Sequence, residues 1–508
     1  MKTILGYDLG GSSLRAGLID VQGQLLDSAK VDLAVTFPNP DRAEADPGDW
    51  WRKLVQVTHA VLGRPPGSQA RIEALVIGAM TRTQVLVDAS GQPLRPAITW
   101  ADGRATREAS EIQSLLNAVE TAETLAGPVN AFHPLARVVW LRRNEPDIYK
   151  KTRYVLEPKD FLNLRLTGLA AADRISQARN LSVSGQPAHL LMTRIGLEPN
   201  LFPPLADPAD LLGEIRAGLE EPFDQLAGIP VFVGGMDAWC ASVGMGCHFE
   251  GCGLNVSGTS EVFGVIGSAF QAADGLTTVP WGDGYYHIGG PSQVGGDCLV
   301  WFAQTFGKEQ LRSETPDLLR QLAEGRRHPE PIIFLPYLRG ERTPLWDPQA
   351  RGLFFGIHRD HRRLDFLWAL VEGVAMANRQ ILERAAQNTP LRTREVRIGG
   401  GASGSDLWCQ VKADVLNLPM IRTTVAEAGL LGAGIVGWHG LGAYPTLSQA
   451  EAAMIRIERT FEPDCGPWGK RSHLYDLLYE RFLEIQAQAL PLYHSLAEAE
   501  QNGLLFDP

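Results

Sequence analysis

At 508 residues the chain is longer than one hydrophobic core of ordinary size organises, so two domains are the expectation. Hydrophobic residues at 44% and charged residues at 21% give the balance of a soluble globular protein. A net charge of −11 argues against nucleic acid or an anionic membrane surface as a partner, because both attract basic proteins.

The N-terminal stretch "MKTILGYD" reaches Asp8 before a secretory apolar region could form. No later run approaches the ~18 apolar residues of a membrane span, so a cytoplasmic protein is expected. "TILGYDLG", "SLRAGLIDVQGQLL" and "RIEALVIGAM" are β-rich and broken by glycine, whereas "DPGDWWRKLVQVTHAVLG" and "WADGRATREASEIQSLLNAVETAETLAG" carry helical spacing. This alternation predicts α/β layers. The Pro- and acid-rich "PLADPADLLGEIRAGLEEPFDQLAGIP" reads as a connection, and a second series of strands and helices begins after about residue 246. Six cysteines in so long a chain do not make a disulfide scaffold. Cys240, Cys247, Cys252 and His248 lack the spacing of a zinc finger or ribbon and read as core packing.

One motif type repeats. "DLGGSSLRAGLID" and "NVSGTSEVFGVIG" both run strand, glycine-hydroxyl turn, strand, one in each half. Backbone N–H groups freed by glycine, together with Ser or Thr hydroxyls, are good donors to phosphate, and two such tips could hold one ligand from opposite sides. A third cluster, Gly399 to Gly401, ends the strand "REVRI" and precedes a helix, where a base or an anionic group can approach backbone closely. No stretch fits G-x-x-x-x-G-K-[ST], and "GGGASG" does not fit the dinucleotide fingerprint. In "PVFVGGMDAWCASVGMG" a strand presents Asp237 before a helix, which suits a base that takes a hydroxyl proton during phosphoryl transfer; a helix N-cap is the plainer role of such an Asp, the base is the preferred reading, and the two are not exclusive. Asp8 ends the first strand in the corresponding way, and a second carboxylate that holds Mg²⁺ is the expected companion of such a base.

The ordered set "DLGGSSLRAGLID", "PLRPAITWADGRA", "GGMDAWCASVGMG", "NVSGTSEVFGV", "FLPYLRGERTPLWDPQARGLFFGI", "LVEGVAMANRQILE", "IGGGASGSDLWCQVKADVLNLPM" and "AEAGLLGAGIVGWHGLGAY" resembles the FGGY family of carbohydrate kinases, nearest to its xylulokinase-like members. The resemblance runs from residue 4 to about residue 440. It implies an α/β protein of two actin-like, ribonuclease-H-fold domains, 1–246 and 247–508, with an ATP and sugar cleft between them that closes to exclude water. It also implies ATP and Mg²⁺ as cofactors, and a small-molecule sugar and ATP as the partners, with neither nucleic acid nor membrane; whether the protein is a dimer stays open. Carried over by position, Asp8 would be the Mg²⁺-linked carboxylate, and Gly10, Gly11, Ser12, Ser13 and Arg15 the first phosphate loop. Gly258, Thr259 and Ser260 would form the second loop, and Gly400, Gly401 and Ala402 would lie against adenosine. Asp237 matches the catalytic base, and Met80, Thr81, Arg82, Trp100, Asp102 and Arg104 fall on the sugar side.

Three departures from the family pattern stand out. Gly11 replaces a usual threonine, and Ala238 follows the base where xylulokinases usually carry Gln or Asn. "GAMTRTQVLVD" replaces a Gln-Met-His-Gly type of stretch and is read with Arg82 in place of the histidine. A guanidinium there needs a partner, either a carboxylate on the substrate or an internal Asp or Glu. The expected reaction is ATP-dependent phosphorylation of a hydroxyl on a ketopentose such as D-xylulose. A polyol of glycerol or erythritol type and a sugar acid are the alternatives, and a non-catalytic sugar sensor on the same fold is a remoter one. The twelve tryptophans, including Trp50 and Trp51, read mostly as core or helix anchors, and His358 to Arg363 as a solvated loop.

Overall fold

The computed structural model describes residues 1–39, 41–118, 125, 128–182, 186–271, 273–306, 315–325, 327–387, 391–464 and 470–501. The chain forms two compact units: unit 1 is Met1–His248 with Val279–Tyr286 and Glu427–Ile455, and unit 2 is Phe249–Thr278 with His287–Ala426 and Arg456–Pro508. A single boundary between residues 246 and 247 therefore does not describe the contacts, because the chain returns to unit 1 twice.

Unit 1 is built on the strand Lys2–Leu9, in which Thr3 to Tyr7 are all buried. A strand covered on both faces needs such a continuous apolar run. It pairs antiparallel with Ser13–Asp20, which pairs antiparallel with Leu25–Asp32, and on its other side it runs parallel to Arg71–Ala79. The sheet continues through Pro230–Phe232 to Leu211–Glu214, and the short strand Gly235–Met236 also joins Arg71–Ala79. The acid-rich segment read as a plain connection thus supplies an edge strand and the buried Ile215 and Phe223. An edge strand that is largely exposed shows no apolar alternation, so its pattern was hidden.

Leu5, Tyr7 and Leu9 face the helix Pro47–Leu62. Asp46 caps that helix by accepting the N–H of Gly48 at 2.8 Å, Pro47 fits its first turn, and Trp50, Leu54, Val57 and Val61 form its buried stripe. The alternate side chains of the strand face the helix Ala428–Gly440, which also packs on the helix Asp237–Met245. A Cβ on Gly432 would lie 1.8 Å from the Cys240 carbonyl oxygen, so the two backbones touch and only glycine fits. The stretch "AEAGLLGAGIVGWHGLGAY", placed by sequence in the second half, belongs to unit 1 for this reason.

Unit 2 repeats the arrangement. Cys252–Ser257 and Glu261–Gly267 form an antiparallel hairpin, Cys252–Ser257 runs parallel to Glu395–Gly399, and Met420–Thr423 follows in parallel. The helix Arg363–Ala386 and the helix Asp406–Leu416 share its main core. Lys412 is buried in this core and donates to Glu261, Asn255 and Asn378 at 2.6 to 2.7 Å. A buried charge this fully satisfied pins the hairpin to the helix.

The helix predicted from Trp100 onward spans Thr106–Ala118, and residues 119–124 of that stretch lie outside the described residues. Cys240, Cys247, Cys252, Cys298 and Cys409 are buried, and none of these five forms a disulfide among the described residues. No helix among the described residues is long and apolar enough to cross a membrane.

Candidate active site

Three neighbouring strand ends in unit 1 deliver the candidate catalytic residues. In the sheet register Asp8 pairs across to Arg15 on one side and Gly78 on the other, and Gly235 and Met236 pair with Gly78 and Ala79. Asp8, Met80 and Asp237 therefore emerge at one edge. The turn between the first two strands closes with the Gly10 N–H donating to the Ser13 carbonyl at 3.0 Å, and Leu33 N–H holds the Ser12 carbonyl at 2.9 Å.

Arg15 lies 3.6 Å from the Asp8 carboxylate and 3.1 Å from that of Glu427, which precedes the helix Ala428–Gly440. Burial pushes the Asp8 carboxyl up to about 7, the negative charges of Asp237 and Glu427 add to this, and Arg15 opposes it. Asp237 is the first residue of its helix, one position after the N-cap Met236, and its carboxylate accepts the Ala238 N–H at 2.7 Å. Burial raises its pKa, against the pull of that N–H and of Arg82. A carboxyl raised in this way is suited to accept a proton near neutral pH.

The sugar-side residues are held by buried charges. Met80 is buried, and its N–H donates to the Leu9 carbonyl at 2.8 Å. Glu157 accepts the N–H groups of Arg82 and Thr83 at 3.1 and 3.0 Å. Arg137 donates to the carbonyls of Arg82, Trp100 and Asp102 at 2.6 to 3.1 Å, tying this loop to the helix Pro134–Asn144. Arg82 has φ of 55°, the left-handed region that favours glycine. In a Met-His-Gly series anchored on Met80, the glycine position is thus Arg82 and the histidine position Thr81, which corrects the register read from sequence.

Asp102 is fully buried and spends both oxygens on Arg104, at 2.7 and 2.8 Å, and on the Ala43 N–H at 2.7 Å. It shapes the loop and offers no carboxylate to a ligand. Trp100 is 45% exposed, and a Cβ on Gly11 would stand 3.2 Å from its indole nitrogen. The glycine found where a threonine was expected leaves room for this ring.

The nucleotide-side residues gather in unit 2. Gly258, Thr259, Asp297, Trp301, Ala402 and Asp406 line a cavity of about 1190 Å³, with Gly401 at its wall. The Gly296 N–H donates to the Gly258 carbonyl at 2.7 Å, so the second hairpin tip is braced by the start of the helix Asp297–Phe306. Gly400 has φ of 88°, and a Cβ there would strike the Ser257 carbonyl oxygen at 2.4 Å. This close approach brings the third glycine cluster against the second hairpin.

Residues 3–244 match the N-terminal domain and residues 253–441 the C-terminal domain of the FGGY family of carbohydrate kinases. The chain belongs to this family. It is a carbohydrate kinase, and among similar members is the xylulose kinase of Lactococcus lactis subsp. lactis, 28% identical over 99% of this chain and 100% of that protein. The xylulose kinase of Klebsiella pneumoniae is 30% identical over 84% of this chain and 87% of its own length. A crystal structure described as a xyloylose kinase from Brucella ovis superposes with a TM-score of 0.85 at 28% identity, covering 97% of this chain and all of that one.

Within this FGGY chain, Glu157, Arg137 and Glu427 were not singled out from sequence. Glu157 and Arg137 act on backbone atoms 35 to 75 residues away, and no local spacing marks such partners. Among the described residues no group of three or more His, Cys, Asp or Glu converges as a metal cluster.

Proposed function

We propose that the protein transfers the γ-phosphoryl group of ATP to a hydroxyl of a small open-chain sugar or sugar derivative, with Asp237 as the general base. The observation that carries this reading is the placement of Asp237. Its carboxylate is raised in pKa, stands beside the strand ends of Asp8 and Met80, and is fixed by a helix N–H. Catalysis then rests mainly on positioning and charge stabilisation, as expected for phosphoryl transfer.

ATP suits the unit 2 cavity, where Gly401 and Ala402 offer a close wall for the base and Gly258 with Thr259 offers phosphate donors. The donor set also fits Mg²⁺, which typically takes one or two carboxylates and completes its shell with phosphate oxygens and water. Asp8 is crowded by Asp237 and Glu427 with Arg15 as its cation, and a divalent ion would relieve that crowding. When bound, the ion would neutralise charge on the transferring phosphates. Such a reaction places the protein in the cytoplasm, where ATP is supplied.

The names of the similar xylulose kinases point to a ketopentose such as D-xylulose as substrate, and a polyol would use the same fold. Asp237→Asn tests the reaction itself. Turnover measured by ADP release should fall by about 10²–10⁴-fold. ATP affinity, measured by calorimetry, should be unchanged. Near-normal turnover would remove Asp237 from the base role, and no ADP release with any sugar, polyol or sugar acid would favour a sensor.

A further inference from the structure

We infer that unit 1 carries a second ligand site, a cavity separate from the candidate active site that takes a small organic amine as its ammonium ion. The cavity measures about 660 Å³, within the range of about 300–1,000 Å³ in which small molecules are usually held. All three chain segments of unit 1 meet around it: Arg174, Asp207, Asp210 and His248 come from the first, Asp283 from the second and His439 from the third. None of the candidate catalytic, sugar-side or phosphate-loop residues lines it.

His248 marks the kind of group the cavity lacks. Its side chain is buried, and its Nε2 lies 3.0 Å from a carboxylate oxygen of Asp283. A carboxylate only accepts hydrogen bonds, so Nε2 carries the hydrogen and Nδ1 of the neutral ring is left as an acceptor. That Nδ1 is buried and has no hydrogen-bond partner among the described residues. A Cβ on Gly282 would stand 3.7 Å from His248 Cε1, the carbon between the two nitrogens, so the polar edge of the ring is turned to the lining of the cavity. A buried acceptor without a donor is costly, and a ligand N–H at this edge would satisfy it.

Charge makes that donor a cation. Three aspartates and one arginine line the cavity. Arg174 answers Asp207 at 3.7 Å, and among the described residues no Lys or Arg pairs with Asp210 or Asp283. The hydrogen bond from His248 holds the Asp283 carboxyl below its usual range, so it is ionised at neutral pH. A sugar or polyol would leave these carboxylates unanswered, and an anion would be repelled by them. The residues do not converge as a metal cluster, and Trp239, Tyr285 and Tyr286 offer ring surface to an apolar body, so the cation is organic. Trp239 spends its indole N–H on the Trp281 carbonyl at 2.7 Å and belongs to the helix that Asp237 heads. The carbonyls of Pro208 and Asp210, also at the cavity, hold the N–H groups of Gly234 and Val233 at 2.9 and 3.0 Å. The second site and the base thus share one set of supports.

The test titrates benzylamine into the full chain by calorimetry, without ATP or sugar, with benzyl alcohol as its uncharged counterpart and Asp283→Asn as the variant. Asparagine suits this position, because Asp283 has φ of 50° and Asn enters the left-handed region readily. Benzylamine should bind with a Kd of about 1 mM or tighter. Its affinity should exceed that of benzyl alcohol by at least about tenfold and fall by about tenfold or more in Asp283→Asn. No measurable binding, an alcohol affinity within about tenfold of the amine's, or variant binding within about tenfold of wild type overturns the inference. If Asp283→Asn does not fold, the exposed Asp210→Asn takes its place with the same expected loss and the same overturning result. Binding is read without turnover, so the amine site stands or falls apart from the kinase reading.

Discussion

Arg82 occupies a backbone position that glycine would fill with less strain, and its side chain lowers the pKa of Asp237. Arg82→Gly should relieve a left-handed conformation, leaving stability unchanged or higher by about 1 kcal/mol in urea unfolding. The same substitution removes a cation from beside the base. The acidic limb of the kcat profile should therefore move to higher pH, because Asp237 is then easier to protonate, and an unmoved limb would detach Arg82 from the base. Asp8 and Asp237 were legible in the sequence because each follows a strand-like run with a glycine turn or helix start beside it, whereas Arg82 stood out only as a departure from the family pattern. Arg137 was not legible, since the carbonyls it holds lie 35 to 55 positions earlier in the chain.

At the scale of elements, the two helices Asp237–Met245 and Ala428–Gly440 touch through backbone at Gly432 and at Gly244, where a Cβ would lie 1.9 Å from the Ala428 carbonyl. Gly432→Ala should overpack this contact, costing 1–3 kcal/mol or more by the usual range for such changes, roughly as measured by chemical denaturation. Turnover should fall with it, because Asp237 heads the displaced helix. Unaltered stability would mean that the helices part freely. The hairpins "DLGGSSLRAGLID" and "NVSGTSEVFGVIG" could be read locally, as a turn between two apolar strands is a short-range pattern. The glycine spacing of the later helix could not, because it is set by the surface it meets.

For the whole molecule, acid stability follows from buried neutral histidines. His133 accepts the Leu135 N–H at 3.3 Å, and burial, followed by the charges of Arg179 and Arg82, pushes its pKa down to about 3. His287 is pushed down to about 4 by burial. The unfolded chain protonates these rings below about pH 6.5, while the native state resists until their lowered values are reached. Their stabilising contribution is complete above about 6.5 and is lost as pH falls toward 4 and then 3. His133→Asn keeps a capping acceptor and should remove one share of this slope, at most about 2 kcal/mol between pH 6.5 and 5 by urea titration. An identical slope in the variant would mean that His133 titrates normally. The two-unit α/β plan was visible from the repeated strand-turn-strand motif, but the discontinuity of unit 1 was not.

That discontinuity has a consequence for synthesis. The face of the first sheet that receives Ala428–Gly440 is finished only after roughly 180 further residues have been translated beyond His248. At ribosomal rates of about 5–20 residues per second the wait is on the order of 10–40 s. Throughout that interval Ile4 and Val76, which Gly437 later covers, remain an apolar surface open to chaperones. A nascent chain halted before residue 428 keeps that surface bare and is a natural substrate for quality control.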